Sequence, residues 1–192
     1  MMRRKKRLKK KRKTFRNIML LMLVLVIGFG AYLAYGRLFP LEHEAIVEKY
    51  AREYDVDPYL VYAVIHTESR FREDVVSPAG AMGLMQVTEE TGDFIAKRLE
   101  IKEYVKEMLF QPETKIRMGV YYLSYLKENF PMKETQLAAY NAGPNRIRAW
   151  LEDDEISSGD VLTNIPFEET RSYVERVILR EKIYRALYFF RN

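Results

Sequence analysis

A run of eighteen uncharged residues, 18–35, constrains the fold of this chain more than any other feature. At about 1.5 Å per residue, a helix of that length spans roughly 27 Å, close to the hydrocarbon thickness of a bilayer. Eleven Lys and Arg residues and no acidic residue lie within residues 1–16. We therefore predict a basic cytoplasmic arm over residues 1–17 and a transmembrane anchor over residues 18–36, with the rest of the chain outside the cytoplasm.

Two alternatives for this N-terminal region depend on what surrounds the apolar run. The triplet Gly28-Phe29-Gly30 has the small-x-small pattern of a signal-peptide cleavage site, so a cleaved signal peptide is one alternative. The run continues past that triplet to Tyr35, which is longer than an ordinary signal-peptide core and favours a retained anchor. A basic arm can also bind nucleic acid, but the apolar run directly after it favours a membrane protein, and we predict no nucleic-acid partner.

The remainder of the chain is acidic and has the composition of one folded domain. Beyond the arm, 21 basic side chains stand against 27 acidic ones, a net charge of −6. The absence of cysteine excludes disulfides and thiolate metal sites, and two histidines are too few for an ordinary histidine cluster, so we predict no metal and no cofactor. We expect a connector over residues 37–44 and a single globular domain over residues 45–192.

Helix signals dominate this domain. Asp57 and Pro58 form a strong helix start, with Asp as the N-cap and Pro at the first helical position, and Thr88 is the next predicted N-cap. The predicted helices cover residues 41–55, 58–68, 88–98, 112–130, 133–140, 146–151 and 168–190, with a compact loop at 77–83 and a solvated acidic loop at 152–160. Because no β-alternation of useful length interrupts them, the predicted fold class is all-α.

Glu68 occupies a helix position where an apolar side chain is expected. Three apolar residues precede it on the same helix face, at i, i+3 and i+4 spacing: Val61, Val64 and Ile65. The Glu68 carboxyl therefore points toward the core, where burial and the negative end of the helix dipole both raise its predicted pKa. A carboxylic acid that stays protonated near neutral pH is what a general acid requires. From this segment alone, an ion pair with Arg70 or Arg72 is the alternative.

Four short segments contain residues that a purely structural role explains poorly. They are Glu-Ser-Arg-Phe at 68–71, Gly-Leu-Met-Gln at 83–86, Ala-Ala-Tyr-Asn-Ala-Gly-Pro at 138–144 and Ile-Pro-Phe-Glu-Glu-Thr-Arg-Ser-Tyr-Val at 165–174. Turn chemistry explains the second and third if each is considered singly. In this order and spacing, the four resemble the SLT-type (family 1) lytic transglycosylases of the goose-lysozyme-like superfamily, enzymes that cut peptidoglycan. The resemblance covers roughly residues 45 to 185.

That resemblance implies a lysozyme-like helical domain with a saccharide cleft and a single catalytic acid at Glu68. It also implies a hydrogen bond from Tyr173 to the Glu68 carboxyl. The remaining implied site residues bind or flank the sugar: Gln86, Tyr140 and Asn141 contact it, Ser77 has a role in the cleft, and Met85 lines the groove. Ser69 and Phe71 are interpreted as support for the helix end, and Trp150 as a core residue, with stacking on a sugar as its alternative.

The number of carboxylates bears on the reaction. Ordinary glycosidases use two. The only other carboxylates at hand here are Glu73, Asp74, Glu168 and Glu169, all in charged runs that we expect to be solvated. One carboxyl suffices if the substrate supplies the nucleophile, so that the C6 hydroxyl of N-acetylmuramic acid closes onto C1 and leaves a 1,6-anhydro end. The expected partners are peptidoglycan glycan strands and, through residues 18–36, the cytoplasmic membrane. A hydrolytic muramidase and a catalytically inactive wall-binding protein are the alternatives.

Overall fold

The computed structural model describes residues 2–105, 107, 108 and 111–191, with the backbone alone for residues 2–11. It divides into two compact units, Met1–Pro40 and Leu41–Asn192. The first unit is helix α1 (Met2–Leu38), whose stretch Arg12–Leu38 is long and apolar enough to cross a membrane, a property that signal sequences share. The predicted basic arm includes residues 1–11, whose side chains are outside the described part of the structure.

The second unit is helical, which confirms the predicted fold class. Its helices are α2 (Glu44–Glu53), α3 (Pro58–Glu68), α4 (Glu89–Arg98), α5 (Pro112–Asn129), α6 (Lys133–Ala142), α7 (Pro144–Leu151) and α8 (Glu168–Leu187). A short 3₁₀ turn, Phe189–Arg191, follows α8. The only paired strands within the described residues are β1 (Ser157–Ser158) and β2 (Val161–Leu162), which form an antiparallel hairpin.

The helix starts follow from the capping residues. The Asp57 carboxylate accepts a hydrogen bond from the Tyr59 amide at 2.9 Å, and Pro58 occupies the first helical position. The Thr88 hydroxyl accepts from the Thr91 amide at 3.2 Å and begins α4. Both side chains satisfy amides that have no partner within their own helix, and both predicted starts are confirmed.

Helix α3 is the centre of the core. Its residues from Tyr59 to Ile65 are all buried, so it is apolar on every side rather than along one stripe. It packs most extensively against α8 and also against α2, while α6 packs on both α5 and α8. Helix α5 buries an apolar stripe at helical spacing, which includes Ile116, Val120, Leu123 and Leu126. This packing places the C-terminal end of α3 beside the N-terminal half of α8.

Residues 152–160 are more ordered than predicted. Ser157 is buried, and its hydroxyl donates at 2.9 Å to the carbonyls of Leu151 and Asp153, which ties the hairpin to the end of α7. The prediction of a solvated loop was wrong for this part of the segment. Serine hydroxyls that bond to nearby backbone produce such turns without any β-alternation in the sequence.

Candidate active site

Glu68 is the last residue of α3 and faces a pocket. Its side chain is partly buried: one side opens to the pocket, and protein surrounds the rest. Ser69 and Phe71, which follow it, are buried, in keeping with the predicted support of the helix end. Arg70 and Phe71 both adopt positive φ, at 52° and 63°. Two consecutive non-glycine residues in this region are uncommon, and such backbone conformations cluster at functional sites.

Burial dominates the electrostatics of the Glu68 carboxyl. It raises the pKa of Glu68 from its ordinary value of 4.5 to about 7, against smaller lowering effects of the Tyr173 hydroxyl and the Arg176 guanidinium. Neither Arg70 nor Arg72 pairs with Glu68 in the described residues, and Arg72 instead donates to the Ser69 carbonyl at 3.2 Å. The carboxyl is therefore poised to exist in both protonation states near neutral pH.

Tyr173 of α8 lies next to this carboxyl. Its hydroxyl is buried, and burial together with the nearby Glu68 carboxyl raises the pKa of Tyr173 well above its ordinary value. Among the described residues the hydroxyl has no hydrogen-bond partner of good geometry, although it is near enough to lower the pKa of Glu68. Its ring is nearly parallel to that of Tyr140, with centroids 6.5 Å apart.

The loop between α3 and α4 forms one wall of the pocket. The Ser77 hydroxyl accepts from the Ala81 amide at 3.1 Å, which closes a tight turn around Gly80. Gln86 has φ 47°, and its side-chain amide donates to the carbonyls of Val75 at 3.0 Å and Gly83 at 2.9 Å. Both amide hydrogens of Gln86 are thus committed to holding the loop, which leaves its side-chain oxygen to accept from a ligand.

Tyr140 and Asn141 occupy the last turn of α6 and form the facing wall. The Tyr140 hydroxyl donates to the backbone carbonyl of Met85 at 2.8 Å, so this tyrosine joins α6 to the loop. Helix α6 extends two residues beyond its predicted end, which fixes Asn141 on the helix rather than in a turn.

Met85 requires a correction. Its side chain is 0% exposed and does not line the pocket. If Gly119 of α5 carried a Cβ atom, that atom would lie only 2.8 Å from the Cβ atom of Met85. The residue is a core side chain that fits the space left by a glycine, because Gly119 lets α5 approach the loop closely. At the site, Met85 contributes the carbonyl that accepts from Tyr140.

The pocket beside Glu68 has a volume of about 240 Å³ and continues into a neighbouring one of about 550 Å³. Five of the predicted site residues line the first: Glu68, Ser77, Gln86, Tyr140 and Asn141. The second lies between α4, α5, α6 and α7, shares Tyr122 with the first, and adds aromatic and basic side chains: Phe94, Tyr125, Arg146 and Arg148. Together they form a cleft wide enough for an extended polar ligand such as a glycan.

One cleft residue was missed by the sequence analysis. Glu169, in the first turn of α8, is exposed and lines the same pocket as Glu68. Sequence placed it in a charged, solvated run, and that part is right. The sequence does not reveal that α8 packs on α3, and this packing brings the charged run that contains Glu169 to the edge of the pocket. Trp150, by contrast, is partly buried and packs edge to face on Phe167 at 5.2 Å.

Comparison with known proteins identifies the family. The family model of the transglycosylase SLT domain matches residues 45–162, more than half of the chain. The chain belongs to the transglycosylase SLT domain family. The matched range includes the five predicted residues that line the pocket, whereas Tyr173 and Glu169 of α8 follow it.

Individual SLT-domain proteins agree with this assignment. The soluble lytic murein transglycosylase of Salmonella typhimurium is 36% identical over 151 residues, covering 77% of this chain and 23% of that protein. The membrane-bound lytic murein transglycosylase C of Serratia proteamaculans is 29% identical over 163 residues, covering 73% of this chain and 46% of that protein. The chain therefore matches less than half the length of either relative.

A solved structure confirms the expected fold. The 70 kDa soluble lytic transglycosylase of Escherichia coli superimposes with a TM-score of 0.71 at 32% sequence identity. The superposition covers 79% of this chain and 25% of that one, so the likeness concerns the helical SLT domain.

Proposed function

We propose that this protein is a peptidoglycan lytic transglycosylase that leaves 1,6-anhydro-N-acetylmuramic acid ends. The observation that carries the proposal is the Glu68 carboxyl, whose pKa of about 7 lies in the range required of a group that acts first as an acid and then as a base. Membership of the SLT family supports the substrate class. A wall-binding protein without activity would gain nothing from a carboxyl group whose burial disfavours its ionised form.

The proposed reaction needs one carboxyl. Protonated Glu68 donates its proton to the glycosidic oxygen between N-acetylmuramic acid and the next sugar, and the bond from C1 to that oxygen breaks. The Glu68 carboxylate then accepts the proton of the C6 hydroxyl as that oxygen bonds to C1. The proton returned to Glu68 equals the proton donated, and no water is consumed. The enzyme is ready for another cycle once the products leave.

We assign supporting roles to the residues around Glu68. Tyr173, through its hydroxyl, would stabilise the carboxylate formed between the two steps, because hydrogen bonding to the charged form favours that form. Asn141 and the free oxygen of Gln86 would bind polar groups of the sugar, and Ser77 would flank it. Tyr140 would contribute mainly the face and edge of its ring, since its hydroxyl is already donated to Met85.

Hydrolysis on the same fold is the second candidate, and Glu169 is the observation that favours it. A second carboxylate that lines the pocket of the acid could activate a water molecule for attack on C1. Its exposure argues for the first candidate, because an exposed side chain is not held in one position from which it could orient a water molecule for attack. The two candidates predict different products, and the role of Glu169 can be tested directly.

Mass spectrometry of muropeptides released from purified peptidoglycan separates the candidates. The transglycosylase reaction gives fragments lighter by one water than those with reducing ends. We expect anhydro ends from the unmodified protein and from the Glu169→Gln variant, and no release from Glu68→Gln, which keeps the shape of the side chain and removes its proton. Reducing ends that disappear in Glu169→Gln would establish the hydrolase instead. Retained peptidoglycan binding by Glu68→Gln serves as the control for folding.

Membrane attachment forms a separate part of the proposal. We propose a cytoplasmic arm over residues 1–17, an anchor over 18–36, a connector over 37–44 and a catalytic domain over 45–192 on the cell-wall side. The apolar stretch Arg12–Leu38 and its basic flank support this topology. A phosphatase reporter fused after the second unit should be active only outside the cytoplasm. Alkaline carbonate extraction should leave the chain in the membrane, whereas a cleaved signal peptide would release a shortened protein.

A further inference from the structure

The turn after α8 carries the most exposed aromatic residues in the described part of the second unit. Phe189 is 66% exposed and Phe190 is 94% exposed, and their rings pack edge to face at 5.2 Å. In the described part of residues 41–191, no other two consecutive aromatic residues are both exposed. Each phenylalanine left in water forgoes roughly 2 kcal/mol of burial, so the pair is a candidate contact surface.

This turn is fixed to the beginning of the second unit. A guanidinium nitrogen of Arg191 lies 2.9 Å from a carboxylate oxygen of Glu44, the first residue of α2. The Tyr59 hydroxyl, in the first turn of α3, donates to the carbonyl of Tyr188 at 3.1 Å. The two phenylalanines lie between these attachment points in the sequence. They are therefore held on the surface near the start of α2.

The start of α2 is also close along the chain to the proposed anchor. Six residue steps separate Leu38, the end of α1, from Glu44. At no more than about 3.5 Å per residue, the connector reaches roughly 20 Å at full extension. The connector alone thus keeps Glu44, and with it the aromatic pair, near the membrane surface whenever α1 is inserted.

We infer that Phe189 and Phe190 insert into the interfacial region of the bilayer that holds α1. This inference rests on the proposed membrane anchor. Aromatic rings favour the boundary between acyl chains and headgroups. Attraction to anionic lipids contributes little here, because Arg191 is paired with Glu44 and the nearby Glu42 and Glu48 are acidic. The contact should consequently form on zwitterionic lipid.

Fluorescence of an added tryptophan in the full-length protein tests the contact. A Phe190→Trp variant is reconstituted into phosphatidylcholine vesicles with brominated acyl chains, and the signal of the unmodified protein, which contains only Trp150, is subtracted. We expect a blue shift and at least about a twofold loss of the added emission, as for an interfacial ring. Addition of anionic lipid should not change the result.

Met132→Trp provides the matched control. Met132 is 40% exposed and follows the C-terminal end of α5, whose other end is joined to α2 by the Lys49–Glu113 ion pair at 2.8 Å. The 18 residues of α5 span about 27 Å, so Met132 lies beyond the end of that helix opposite to the Lys49–Glu113 pair. Its added emission should remain red-shifted and unquenched.

The outcomes distinguish this inference from the anchor proposal. Quenching at position 190 but not at 132, in protein that resists carbonate extraction, supports the inference. Equal emission at both positions in membrane-retained protein overturns the inference and leaves the anchor intact. Release of the unmodified chain by carbonate overturns the anchor proposal, and the inference with it. Catalytic activity toward peptidoglycan is independent of all three outcomes.

Discussion

Because the raised pKa of Glu68 makes its ionisation unfavourable in the folded protein, we predict that removing its charge stabilises the folded protein at high pH. The pKa of Glu68 rises from 4.5 in the unfolded chain to about 7 in the folded one. Between these values the folded state holds a proton that the unfolded state has released, so stability falls as pH increases. The penalty is absent below about pH 4.5 and complete above about pH 7.

The size of the penalty follows from the same shift. The full difference corresponds to about 3 kcal/mol, and the opening of the carboxyl to the pocket reduces this to roughly 1–2 kcal/mol. For a domain of about 150 residues, that amounts to roughly 2–8 °C in Tm. The Glu68→Gln variant should therefore unfold that much higher than the unmodified protein at pH 8, and at nearly the same temperature at pH 4.

Trp150 is a suitable reporter because it is the only tryptophan and lies in the second unit, so its fluorescence follows that unit and not α1. The measurement is a thermal unfolding series of the full-length protein in detergent between pH 4 and pH 8. Glu169→Gln, which removes an exposed carboxylate of the same pocket, should show no pH-dependent gain. An equal gain for Glu68→Gln at both pH values, or none at either, would refute the reasoning.

Two further predictions concern neighbours of this carboxyl. Tyr173→Phe removes an effect that lowers the pKa of Glu68, so the fall in kcat/KM at high pH should move to higher pH, with a rate loss worth about 1–3 kcal/mol. Tyr62→Phe, which removes another buried hydroxyl with no hydrogen-bond partner among the described residues, should keep the original profile, and identical profiles for both variants would exclude Tyr173 from the site. Gly119→Ala should lower the free energy of unfolding by about 1–3 kcal/mol in urea titrations, because the new methyl group would overlap Met85. A second substitution, Met85→Ala, should restore part of the loss, and additive losses would contradict this packing.

Local sequence rules were sufficient for the framework of the fold. Asp57 and Thr88 cap their helices through their own side chains, so their starts could be predicted from short stretches of sequence. The position of Glu68 followed from helical periodicity, because a carboxyl on an apolar face must be buried wherever that face is buried. These features depend on residues within one or two turns of each other.

The two corrections at the site, Met85 and Glu169, depend on contacts between distant segments. Met85 is buried because Gly119, more than thirty residues later, leaves space for it, and Glu169 reaches the pocket because α8 packs beside α3. The side-chain amide of Gln86 donates both its hydrogens to carbonyls of its own loop, and the spacing of residues in the sequence does not reveal these bonds. A motif indicates that a side chain is near the site, whereas its solvent exposure and hydrogen-bonding capacity are set by the tertiary structure.

The pairing of α3 with α8 has a consequence for how the protein is made. An Arg180 guanidinium nitrogen of α8 lies 3.4 Å from the Thr67 hydroxyl, which precedes it by 113 positions. A ribosome therefore synthesises Glu68 long before the helix that covers it, and a chain halted in between contains the acid but neither Tyr173 nor the pocket edge formed by Glu169. On the proposed function, a nascent chain emerging from the export channel therefore faces the wall with an incomplete active site. On the proposed function, the danger of wall cleavage by such an enzyme begins only when synthesis of α8 is complete and the helix has docked.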